Sequence, residues 1–183
     1  MPQTIHLIRH GQSTANVALA ATGVDPIEFD PHLSPLGEEQ VRQAKVRHAD
    51  RHYDLIVASP LRRAIQTASG IFGHRQTPMI IEALHRERIE NTGDVGRSPR
   101  HLKADFPHLD FAHLPDVWWH AEGEPDHRGI HVESFDVLRE RVAAFKLWLD
   151  QRPEQRIAVI GHGTFFFHMT GVHFENCQML EWR

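Results

Sequence analysis

With 183 residues, 40% of them hydrophobic and 24% charged, the chain has the size and composition of one globular domain, which excludes a disordered tail, a collagen-like repeat and a coiled coil. A formal net charge of −4 gives no overall positive field for nucleic acid or an anionic membrane surface, so neither is expected as a partner. The single cysteine, Cys177, leaves no intramolecular disulfide to form, and without a basic-then-apolar leader in its first residues the chain is expected in a reducing cytoplasm.

Ile5-His6-Leu7-Ile8 opens the chain as a short buried strand, followed at once by Arg9-His10-Gly11. A helix is expected from Pro35 to about Asp50, then a strand at Leu55-Ile56-Val57-Ala58. Ser59-Pro60 leads into a helix running to about Phe72; proline suits a first helical position and would put Arg62 and Arg63 in the first turn. Met79-Ile80-Ile81 reads as the next strand. From about Asn91 to His131, eight glycines and prolines break any long element, and the region reads as a variable insertion within one domain spanning 1–183. Phe135, Leu138, Val142, Phe145 and Leu149 give helical spacing over Ser134 to Leu149. Ile157-Ala158-Val159-Ile160 is the last buried strand, ending at Gly161-His162-Gly163-Thr164. The uncharged stretch from Ile157 to Phe174 has spanning length but carries three histidines and three glycines, so it reads as core. Gln178 to Trp182 alternates as an edge strand. Strands alternating with helices imply an α/β three-layer sandwich, a mostly parallel central sheet with helices on both faces.

Three strand ends therefore carry basic groups just before a helix: Arg9 and His10, Arg62 and Arg63, and His162. Ligands of open α/β sheets bind at such ends, where helix N-termini also present free N–H groups. A helix dipole disfavours cations in its first turn, and a bound anion reverses that sign. Guanidinium forks match phosphate oxygens, so a phosphoryl group is the expected guest. His10, beside arginine, resists protonation and keeps a lone pair able to attack phosphorus.

Leu7-Ile8-Arg9-His10-Gly11-Gln12-Ser13-Thr14-Ala15-Asn16 resembles the signature of the histidine phosphatase superfamily, which includes the cofactor-dependent phosphoglycerate mutases. His32-Leu33-Ser34-Pro35-Leu36-Gly37 with Gln40 and Gln43, Ser59-Pro60-Leu61-Arg62-Arg63-Ala64-Ile65-Gln66-Thr67-Ala68, and Val159-Ile160-Gly161-His162-Gly163 resemble further family segments in the family's order. The resemblance implies that His10 attacks phosphorus in line, that Arg9, Arg62 and His162 stabilise the equatorial oxygens, and that Asn16 adds a hydrogen bond, with no metal or other cofactor. It also implies a carboxylic acid that protonates the leaving group: Glu87, with Glu82, Glu90 and Asp94 as alternatives. Ala15 stands where the mutase branch has tryptophan and the chain is shorter than typical mutases, which favours hydrolysis over phosphoglycerate mutase-type transfer.

The expectation is a metal-independent phosphatase acting on a small phosphorylated metabolite, its oligomeric state open. A catalytically weak phosphate-binding scaffold and a protein phosphatase are the rivals. Substrate choice is expected to lie in the insertion, where Trp118 and Trp119 either stack on a ligand or pin the loop to the core. The insertion's histidines, among them His101, His108 and His113, lack paired metal-ligand spacing.

Overall fold

Branched apolar residues with no polar face cannot sit on a half-solvated sheet, and in the computed structural model, which describes residues 3–183, they pair at its centre. The strands are β1 (Thr4–Arg9), β2 (Leu55–Ala58), β3 (Met79–Ile81), β4 (Arg156–Gly161) and β5 (Met179–Glu181), in spatial order β3-β2-β4-β1-β5. All pairs are parallel except β1 with β5, which closes one edge antiparallel. The fold is α/β with helices on both faces.

Alternate strand residues feed two cores. Ile8, Ile56, Ala58, Ala158 and Ile160 pack with α2 (Pro35–Arg47) and α3 (Arg62–Phe72). Leu7, Leu55, Val57, Ile157 and Val159 face α5 (Phe135–Asp150) and α6 (Gly163–Thr170). The α5 stripe buries Leu138, Arg141, Val142, Phe145 and Leu149, while Phe135 is exposed, with the Arg88 guanidinium over its ring and His168 stacked on it.

Several elements differ from the sequence reading. The α3 helix starts at Arg62, not Pro60, because Leu61 is extended and the Asp30 carboxylate accepts from Arg62 N at 2.8 Å, fixing the first turn there. The α2 helix stops at Arg47, where Arg75 reaches over to take the carbonyls of His48 and Ala49. The insertion contains a 3-10 turn at Thr92–Asp94 and a short helix, α4 (Pro99–Asp105); a proline at the start of α4 is compatible with the first turn, so the breakers delimit this helix instead of preventing it. The uncharged stretch divides into β4 and α6, and no helix among the described residues is long and apolar enough to cross a membrane.

Trp118 is buried in the α2/α3 core with Leu102, Leu109 and Phe111, and its indole N–H donates to Arg97 O at 2.8 Å. A Cβ on Gly96 would lie 2.1 Å from its ring, so that position accepts only glycine. Trp119 packs edge-on against Trp118. Trp118 pins the insertion to the core, and Trp119 is half-buried against it.

Candidate active site

The register pairs Arg9 with Gly161, so β1 and β4 end side by side, and the amide of Ser59 continues the ladder from β2 onto Ile160. His10, His162 and Ser59 thereby meet where three parallel strands finish. The loop after β1 leads into α1 (Thr14–Thr22), whose N-cap Ser13 exchanges hydrogen bonds with Asn16. Polar residues behind the loop fix its backbone: Thr67 accepts from Gly11 N at 3.0 Å and Gln40 from Gln12 N at 2.8 Å, while Gln66 accepts from Leu33 N. Gly37 lets two segments touch, since a Cβ there would lie 2.0 Å from Gln12 O.

His10 is buried, and its Nδ1 lies 2.7 Å from Gly11 O. A carbonyl only accepts, so Nδ1 carries the proton and the lone pair sits on Nε2, where Arg63 Nε donates at 3.3 Å. Burial, then the charges of Arg63 and Arg9, hold His10 well below the usual histidine range and keep it neutral. The ring of His162 lies 5.1 Å behind that of His10. Its Nε2 meets Ser59 Oγ at 2.8 Å, and Ser59 Oγ already accepts from Leu61 N. The Nδ1 of His162 is buried without a partner. Burial, then Arg63, lowers His162 as well.

A cleft of about 390 Å³ opens in front of His10. Its walls include Arg9, Asn16, Arg63, Glu87, Arg88 and Asp94. Arg9 donates through Nη1 to Phe174 O, and its Nε is buried without a partner. Arg63 donates to Gly93 O and, at 2.9 Å, to Asp94 Oδ1. Burial pushes the Asp94 carboxyl up to about 6 against the pull of Arg63. Glu87 accepts from Thr164 N and Phe165 N, each at 3.0 Å, and so meets the N-terminus of α6 with its carboxylate. Unpaired donors, a neutral imidazole lone pair and several guanidiniums thus share one concavity with the carboxyl groups of Glu87, Glu90 and Asp94.

Residues 5–181 match the family model of the histidine phosphatase superfamily (branch 1). The chain belongs to the histidine phosphatase superfamily. An Arabidopsis thaliana phosphoglycerate mutase-like protein is 31% identical over 96% of this chain and 76% of its own length. A Mycobacterium tuberculosis glucosyl-3-phosphoglycerate phosphatase is 30% identical over 86% of this chain and 69% of its own length. Among solved structures, the alpha-ribazole phosphatase of Shigella flexneri shares the fold at a TM-score of 0.66 and 21% identity, with 97% of this chain and 88% of that chain covered.

Within this superfamily fold, Arg9, His10, Asn16 and Glu87 line the cleft, whereas His162, expected among the phosphate contacts, does not: it is buried, its ring 5.1 Å from that of His10 and its Nε2 on Ser59 Oγ. Arg62 does not reach the cleft. Adjacent helical residues point about 100° apart, and Arg62 turns away to donate through Nε to Asp30 O at 3.1 Å, so the guanidinium beside His10 is that of Arg63. Of the alternative acids, Glu82 caps its own loop at Leu84 N and is absent from the cleft wall, whereas Glu90 and Asp94 line it. Arg88 is a cleft residue that the sequence reading did not single out; its Nη1 lies 3.1 Å from Glu90 Oε2 and its Nε is buried without a partner.

Proposed function

We propose that this chain is a metal-independent phosphatase that hydrolyses a small phosphorylated metabolite through a phosphohistidine on His10. The observation that carries the reading is the tautomer of His10: Nδ1–H is tied to Gly11 O, which aims a neutral Nε2 lone pair into a cleft walled by arginines. In the first step Nε2 forms the bond to phosphorus while the ester P–O bond breaks, and Glu87 gives a proton to the departing alcohol oxygen. Arg9, Arg63 and Asn16 donate to the equatorial oxygens as charge spreads over them, while His162 packs against His10 outside the cleft wall. In the second step water attacks phosphorus, the P–N bond breaks, and Glu87 takes the proton from water. The phosphatase relative and the phosphatase fold neighbour support hydrolysis over transfer. The lone, buried cysteine suits a reducing cytoplasm.

Quenching with substrate is expected to trap acid-labile, alkali-stable phosphate on the protein, and His10→Ala should remove both label and turnover. Label that survives in His10→Ala would refute the reading. Asp94 offers a second proton donor, because its carboxyl stands at about 6 in the same cleft. Comparing Glu87→Gln with Asp94→Asn on esters of good and poor leaving groups decides between them: the donor's variant loses about 10²–10⁴-fold on the poor leaving group alone.

A further inference from the structure

Glu87 sits on irregular backbone between β3 and the 3-10 turn at Thr92–Asp94, the kind of segment in which a side chain wanders by an ångström unless something holds it. Here the carbonyls on both sides are held. Arg141, from the middle of α5, donates through Nη1 to Leu84 O at 2.7 Å and to Arg86 O at 3.0 Å. Beyond Glu87, the amide of Glu133 donates to Ile89 O at 2.9 Å. The Glu133 carboxylate is fully buried and takes both remaining edges of the Arg141 guanidinium, Nε at 2.7 Å and Nη2, with Arg86 Nη2 at 3.3 Å. The same guanidinium lies 5.4 Å from the ring centroid of Phe165, whose N–H the Glu87 carboxylate holds. Neither Glu133 nor Arg141 lines the cleft.

Building on the reading of Glu87 as proton donor, we propose that Glu133 and Arg141 form a clamp that positions it, gripping its backbone on both sides and bracing the helix end on which its carboxylate rests. A buried ion pair can also serve stability alone. The two roles separate by leaving group. A clamp that aims the proton donor matters for an alkoxide, which cannot leave unprotonated, and matters little for nitrophenolate.

The test measures kcat/KM for glycerol 3-phosphate and for 4-nitrophenyl phosphate in Glu133→Gln and Arg141→Lys, with Glu87→Gln as reference and thermal melts in parallel. Both clamp variants are expected to lose at least tenfold more on the alkyl ester than on the aryl ester, in the direction of Glu87→Gln, whose differential loss is about 10²–10⁴-fold. Arg141→Lys keeps the charge and the apolar stem, so it carries the test if Glu133→Gln does not fold. Equal losses on both esters, with or without a lowered melting point, overturn the clamp while leaving the donor in place. No differential loss in Glu87→Gln overturns the proton-donor reading itself, independently of what the clamp variants do.

Discussion

Arg62 and Arg63 show how much one position on a helix decides. Both occupy the first turn of α3, yet Arg63 donates to the His10 imidazole and Arg62 to the backbone of Asp30. Arg63→Ala is expected to lower kcat/KM by about 10²–10³-fold, the usual cost of removing a preorganised donor from a transition-state oxygen. Arg62→Ala should cost less than tenfold; the reverse order in steady-state kinetics would return the phosphate contact to Arg62. Asp30 has a consequence of its own. Its Oδ2 is buried without a partner, and burial pushes its carboxyl up to about 6 from the ordinary 3.8. A pKa raised on folding means the native state prefers the protonated form, so this contribution to stability is fully present below about pH 4 and is lost as pH rises through about 6. The size is about 3 kcal/mol from the shift itself. Asp30→Asn keeps the acceptor for Arg62 N and cannot ionise, so its urea midpoint should exceed that of the unaltered protein at pH 8 and converge with it toward pH 4.

Among elements, the insertion after β3 is anchored at both the site and the core. Asp94 and Gly93, in its opening turn, hold Arg63 against His10, and Trp118 sinks into the α2/α3 core further along. Trp118→Ala is expected to destabilise the fold by about 3–5 kcal/mol, read as a lower urea midpoint, because it empties a buried indole's volume from the α2/α3 core. A variant that kept full stability but lost substrate affinity would instead place the indole on a ligand. The loop carrying His10 is held the same way from behind, by Thr67 and Gln40, whose side chains never enter the cleft.

For the whole molecule, charge distribution matters more than charge. The chain is net negative, yet Arg9, Arg63 and Arg88 converge on one cleft at the carboxyl ends of parallel strands. An anion that binds only the folded state stabilises it by mass action, by about 2.7 kcal/mol at a hundred times Kd. Inorganic phosphate should therefore raise the melting temperature of the unaltered protein and leave that of Arg63→Ala almost unmoved. An equal rise in both would locate the anion elsewhere.

Local signals determined a good deal of this. Three buried strands, β1, β2 and β4, were legible because parallel strands covered on both faces must be apolar throughout; β3 was legible as an apolar run although it lies half-buried at an edge, and the long α5 was legible from its 3.6-residue stripe. The order of motifs marked the strand ends on which His10 and His162 stand. What sequence could not fix was direction. Which of two adjacent arginines faces the imidazole depends on where α3 begins, and Asp30, far back in the chain, sets that start. That Glu87 meets the N-terminus of α6, and that Arg141 and Glu133 grip the backbone around it, depends on groups from α5 and the segment just before it closing over a loop. Periodicity records which residues seek the interior; only packing decides which polar groups meet there, because hydrogen-bond partners are chosen by position in space and leave no spacing in the chain.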